Sequence, residues 1–231
     1  MTQDRTSEWF VPKFGSRNFR IGVGILFLPY TSIVTSFAIW GSLSGPFDLD
    51  RLVAIGVIYF LAIGVSAHCL DAVGGKTKPW GQLPKRKLWT IALLALGVSF
   101  GLGIYYALLD VFFLIPIGII EGFFLFAYNL ELFNGKFHNN ISTVVSWGVL
   151  PVFAGSIIQT NMIQPETLIL AGISAVTTYV LIVNSRKYKI LMRSGSSNES
   201  IQRKELILKT ITFTVIAATV AFFVLRNFAV L

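Results

Sequence analysis

The sequence predicts an all-α fold, a polytopic membrane helical bundle of about seven transmembrane helices, on three observations. More than half of its 231 residues are hydrophobic (54%) against 13% charged, and mean hydropathy is +0.71, the balance of a membrane chain. The apolar residues gather into runs of about 20, the length that crosses about 30 Å of hydrocarbon. The basic residues fall between alternate runs, as the positive-inside rule requires of a helical membrane protein. An outer-membrane barrel would instead show short segments of alternating polarity, and a run such as Leu88–Leu109 alternates nowhere.

Taken in order, the whole chain, 1–231, reads as a single integral membrane domain. Residues 1–20 are polar and carry Arg5, Lys13, Arg17 and Arg20. No small-residue cleavage site follows the first run, so no cleaved signal peptide is expected. The runs cover 21–42, 52–70, 88–109, 110–128, 141–160, 165–184 and 206–225. Two basic loops, 71–87 and 185–205, interrupt them, the second holding the flexible stretch Ser194–Ser200. With this count, 17 of the 19 Lys and Arg residues lie on one side and only Arg51 and Arg226 on the other. The expected topology is a multi-pass protein of the cell membrane with a cytoplasmic N-terminus and an external C-terminus. The net charge of +8 then reports topology, and no nucleic-acid partner is expected. Cys69 is the lone cysteine, so no intrachain disulfide can form. Gly97 with Gly101, and Gly118 with Gly122, have the four-residue spacing that lets membrane helices approach closely.

The polar residues that carry chemistry gather at the cytoplasmic ends of the spans. His68 and Asp71 are three apart and share a helix face at the end of the second span. A carboxylate there meets the negative end of the helix dipole and calls for a nearby cation, either the loop residues Lys76, Lys78, Lys85, Arg86 and Lys87 or a metal ion. Tyr128, Asn129, Glu131 and His138 share that depth at the end of the fourth span. Together they imply a polar cavity facing the cytoplasm; pairing of His68 and Asp71 with loop lysines at a helix end is the plainer reading. Glu121 lies inside the fourth span, where a charge costs about 3 kcal/mol and ordinarily faces a bundle interior or a wet cavity. It is either a functional group or a protonated carboxyl hydrogen-bonded to a neighbouring helix. No Walker A loop, Gly-x-Gly-x-x-Gly, His-Glu-x-x-His or Gly-x-Ser-x-Gly motif occurs, which leaves no signature of soluble-type cofactor binding.

Ala67-His68-Cys69-Leu70-Asp71 followed by Lys76-Thr77-Lys78-Pro79-Trp80-Gly81, and Tyr128-Asn129-Leu130-Glu131-Leu132 after the fourth span, resemble the UbiA-type intramembrane prenyltransferases. In that family an aspartate-rich motif ends the second span, a basic loop follows, and a second aspartate motif closes the sixth span, here at Asn184–Tyr188. The first motif retains only Asp71, and the second position, Asn-Ser-Arg-Lys-Tyr, has no carboxylate. The resemblance implies transfer of an isoprenoid chain from a prenyl diphosphate to a lipid-soluble or aromatic acceptor. It implies catalytic roles for Asp71, His68 and Glu121, and substrate contacts from Lys76, Lys78, Tyr128, Asn129, Glu131, Asn184 and Lys187. Asp71 would be a ligand to Mg2+. The missing carboxylates imply instead that the diphosphate is met directly by basic side chains, among them Lys76, Lys78, Lys187 and Lys189. The other function class is a non-catalytic lipid- or quinone-binding or assembly protein that keeps the bundle alone.

Overall fold

Caps and prolines set the limits of the helices. The computed structural model describes residues 5–74, 80–81 and 83–228. Six of its helices are long and apolar enough to cross a membrane: α1 (Arg17–Leu43), α2 (Leu49–Gly74), α3 (Lys85–Leu109), α5 (Asn140–Thr160), α6 (Pro165–Ser194) and α7 (Asn198–Phe228). A shorter one, α4 (Leu114–Asn129), lies between α3 and α5. There is no strand among the described residues. Asp48 caps α2, its carboxylate accepting from the amides of Asp50 and Arg51 at 2.8 and 3.2 Å, and Asn139 caps α5 by accepting from Ser142 at 2.9 Å. Proline at the start of α6 occupies a position whose N–H has no helical partner.

The expected loop over 185–205 is helical except at Gly195–Ser197. α6 runs to Ser194, where Gly195 takes the left-handed conformation (φ 63°) that ends a helix at little cost, and α7 begins at Asn198. Arg186, Lys187, Lys189 and Arg193 are therefore fixed on helical faces. In the first loop, α2 continues to Gly74, so Asp71 is helical.

Three spans are not uniform α-helix. α1 breaks at Phe27, which is left-handed (φ 46°), two residues before Pro29. Proline removes a donor and crowds the preceding turn, and the Thr31 hydroxyl donates to the exposed Leu26 carbonyl at 2.7 Å. α2 widens into a π-helix over Phe60–Ala67, and α5 does so over Val144–Val149. The second widening lies just before Pro151, whose missing N–H disrupts the same backbone ladder.

The closest helix approach joins α1 to α5. A Cβ on Gly41 would strike the Val152 carbonyl, and one on Gly155 would lie 2.7 Å from the Ser42 nitrogen. Gly97 and Gly101, expected at a close contact, have nothing within 4 Å and face outward, and Gly118 and Gly122 meet only the Phe100 ring. α7 joins α1 through Trp40 Nε1, which donates to Thr219 at 2.8 Å. Ser174 of α6 donates to the Gly148 carbonyl of α5 at 2.7 Å.

One end of the bundle gathers the turns 44–48, 110–113 and 161–164. There Arg51 pairs with Asp110 at 2.6 Å and donates to the Ile158 carbonyl at 2.9 Å, while Arg226 donates to the Gly45 carbonyl at 2.6 Å. α4 starts at this end and finishes beside Gly74 at the other, where a Cβ on Gly74 would be 2.8 Å from the Asn129 carbonyl oxygen. It thus runs the length of the bundle, although its 16 residues span only about 24 Å. The opposite end holds the N-terminal segment, residues 130–139 and the α6–α7 turn. Large apolar side chains such as Leu94, Leu108, Ile169, Phe213 and Leu225 are exposed on the outer surface, the face a multi-pass membrane protein presents to lipid.

Candidate functional site

Each irregularity in the helices delivers a side chain to one place at the basic end. The break in α1 presents Phe27 and Tyr30, whose rings stack at 4.1 Å. The π-helix of α2 is followed at once by His68, 5.6 Å from Phe27 and 6.5 Å from Trp147 between ring centroids. Trp147 sits within the π-helix of α5 and meets Tyr30 at 6.1 Å and Tyr128 at 6.3 Å. Tyr128, at the end of α4, stacks on His138 at 4.2 Å.

Charged groups surround these rings. Asp71 is within electrostatic reach of His68, Tyr128 and Lys189. Arg186 lies near Tyr128, and Ser185 is beside the Tyr30 hydroxyl. The His68 Nδ1 lies 3.3 Å from the Gly64 carbonyl oxygen, one turn earlier. A proton on Nδ1 satisfies that contact and leaves Nε2 with its lone pair. Nε2 is buried and has no hydrogen-bond partner among the described residues.

The N-terminal segment completes this end. It folds back over the bundle because Arg20 donates to the carbonyls of Thr6 and Pro12 at 2.7 and 2.9 Å, and Lys13 donates to those of Ser7 and Glu8 at 2.6 and 2.9 Å. Arg5 is thereby carried among Phe10, Phe27 and Trp80, its guanidinium carbon 5.0–5.6 Å from each ring centroid. Its Nε donates to Glu8 at 2.6 Å.

Next to the charged cluster lies a cavity of about 240 Å³ between α2, α3, α4 and α5. Its wall is apolar, and it reaches the lipid-facing surface at Phe100, Ile104 and Ile119, which are 39, 52 and 67% exposed. Its polar lining is confined to Tyr59, Ser99, Glu121, Tyr128, Asn129, Ser146 and the Trp147 indole edge. Tyr128 and Trp147 belong to both regions, so an amphipathic molecule can lay its tail in the cavity with its head at the charged end.

The residues singled out from sequence separate accordingly. His68, Asp71 and Tyr128 come together. Asn129 is buried at the cavity end, donating to the Leu125 carbonyl at 2.7 Å. Glu121 lines the cavity wall and accepts a hydrogen bond from the Tyr59 hydroxyl of α2, so it faces the bundle and stands apart from Asp71. Glu131 occupies the turn after α4 with φ 51°. Asn184 links two helices, accepting from Lys204 at 2.9 Å. Lys187 is exposed, whereas Lys189 faces Asp71. Lys76 and Lys78 lie outside the described residues. Among the described residues no three His, Cys, Asp or Glu side chains assemble as a metal site. Mg2+ takes near-octahedral oxygen coordination, and the donors around Asp71 do not fit it.

Sequence reasoning treated Arg5 as a topology charge and did not single out Tyr30, Tyr59 or Trp147. The signals were Pro29 and Pro151, each a few residues from a ring that the resulting irregularity re-aims.

Fold and site together define a multi-pass membrane protein with an apolar, lipid-open cavity ending in an aromatic and charged head region. No family model and no curated protein matches the chain, so its function is argued from the site.

Proposed function

We propose that this protein is an intramembrane prenyltransferase of the UbiA type, taking an isoprenoid chain from a prenyl diphosphate to a lipid-soluble or aromatic acceptor. The observation that carries the reading is the continuity of the lipid-open cavity with the Asp71–His68–Lys189 cluster through Tyr128 and Trp147. The tail enters laterally from the bilayer, and the diphosphate lies among the cations. In the transfer step the bond from C1 of the chain to oxygen breaks, and its electron pair leaves with pyrophosphate. C1 bonds to the acceptor's nucleophilic atom, and the acceptor proton passes to His68 Nε2. Asp71 then faces the imidazolium so formed. The positive-inside rule puts this end in the cytoplasm of a cell-membrane protein, with the C-terminus external.

The test is incubation of the purified protein in nanodiscs with a labelled prenyl diphosphate and a membrane lipid extract. Labelled lipid and released pyrophosphate are expected. His68→Ala should slow both by about 100-fold or more, the scale of a lost general base. Absence of both products with every acceptor fraction overturns the transferase reading.

A second reading is favoured by the lack of a carboxylate cluster among the described residues: a protein that binds the isoprenoid without transferring it. It predicts that the diphosphate binds and is recovered unchanged.

A further inference from the structure

The charged end has more positive than negative groups. Arg5, Arg186 and Lys189 stand against Asp71 and Glu8 around the same rings. One positive charge is left over among the described residues, in surroundings of Phe27, Tyr30, Trp80 and Trp147 where an uncompensated cation is expensive. The Arg5 Nη2 is buried and has no hydrogen-bond partner among the described residues. Its Nε is already committed to Glu8, and three rings surround the guanidinium. A planar, desolvated guanidinium with a spare N–H is suited to a phosphate oxygen.

We infer that the N-terminal segment is part of the binding site, Arg5 joining Lys189 to hold the phosphate oxygens of the ligand's head in place of a metal ion. This rests on the reading of the ligand as an isoprenoid with a diphosphate head. Glu8 positions the guanidinium, and Arg20 and Lys13 hold the segment that carries it. The head is then recognised by charge-assisted hydrogen bonds alone, and the tail by the cavity.

The experiment measures binding of farnesyl diphosphate, inorganic pyrophosphate and farnesol to the full chain in nanodiscs, with excess EDTA or excess Mg2+. The variants are Arg5→Ala, which removes charge and fork, and Arg5→Lys, which keeps the charge. Farnesyl diphosphate should bind equally in EDTA and Mg2+. Arg5→Ala should weaken it about 10- to 100-fold, the loss of one hydrogen bond to a charged group, and Arg5→Lys should weaken it less. Farnesol binding should be the same in all three proteins, which shows that the variants are folded. Pyrophosphate should bind more weakly than farnesyl diphosphate but with the same dependence on Arg5. Loss of farnesyl diphosphate binding in EDTA, wild-type affinity in both variants, or pyrophosphate binding as tight as farnesyl diphosphate overturns the inference. Mg2+-dependent transfer indifferent to Arg5 overturns it while leaving the transferase reading intact. Farnesol binding without farnesyl diphosphate binding in either condition removes the diphosphate reading and the inference with it.

Discussion

Replacing Gly155 by Ala adds one methyl group where α1 and α5 meet backbone to backbone. The new Cβ would stand 2.7 Å from the Ser42 nitrogen and 3.0 Å from the Ala38 carbonyl carbon. Ordinary van der Waals contact begins at 3.4 Å, and these obstacles are main-chain atoms that no rotamer change removes. The two helices must separate by a large fraction of an ångström, loosening the packing of Val34, Ala38, Ile157 and Ile158, which are all buried in one cluster. Overpacking of this kind costs about 1–3 kcal/mol, partly offset by the gain of about 1 kcal/mol when Ala replaces Gly in a helix. A net loss of about 1–2 kcal/mol follows from these two terms. Gly41→Ala should behave alike, since its Cβ meets the Val152 carbonyl. Gly97→Ala, with nothing within 4 Å, should be neutral or slightly stabilising. The assay is thermal or SDS-induced unfolding of the three variants in one detergent. Gly97→Ala equal to or worse than Gly155→Ala would refute the assignment of the tight contact to α1 and α5.

Three further outcomes are expected. Glu121→Gln should keep the partner of Tyr59, whereas Glu121→Leu should strand a hydroxyl on a residue only 2% exposed and lose about 1–3 kcal/mol; equal unfolding midpoints for the two variants would show that the carboxyl does not hold Tyr59. Arg51→Ala should destabilise more than Asp110→Asn, because the half-exposed ion pair contributes at most about 1 kcal/mol, while the arginine also serves the Ile158 carbonyl; a double-mutant cycle in urea measures the difference, and a larger effect of Asp110→Asn contradicts it. A reporter active only in the cytoplasm should be silent when fused after Leu231 and active in the Gly195–Ser197 turn; the reverse pattern inverts the orientation.

Fold class was legible because lipid imposes a simple rule: apolar runs of sufficient length must be helical, and hydropathy finds them. The extent of the helices was less so. The basic face of α6 from Arg186 to Arg193 reads as a loop by hydropathy, yet its backbone stays helical because polar residues at a membrane surface keep their helical hydrogen bonds. Glycine spacing misled for a related reason. It marks where a close approach is possible, and only the partner helix decides whether one occurs, so Gly41 and Gly155, far apart in sequence, were invisible as a pair. At the site, His68, Asp71, Tyr128 and Asn129 were found because polar residues at span ends are conspicuous. Arg5, Tyr30 and Trp147 were not, since an aromatic ring in a span or an arginine in a tail is ordinary until backbone irregularity and chain reversal bring them together.

The two π-helical stretches, Phe60–Ala67 and Val144–Val149, immediately precede or contain the rings of His68 and Trp147. A π turn holds more residues per turn than an α turn, so removing one residue from either stretch could restore α winding. Everything after the deletion would then rotate by about 100° relative to what precedes it. In α2 that would swing His68 and Asp71 away from Phe27 and Trp147, while the contacts of Leu49–Tyr59 stayed in register. Single-residue gains and losses at these two places would thus re-aim the head region without altering how the bundle fits its bilayer, giving the lineage a way to change chemistry while conserving the scaffold.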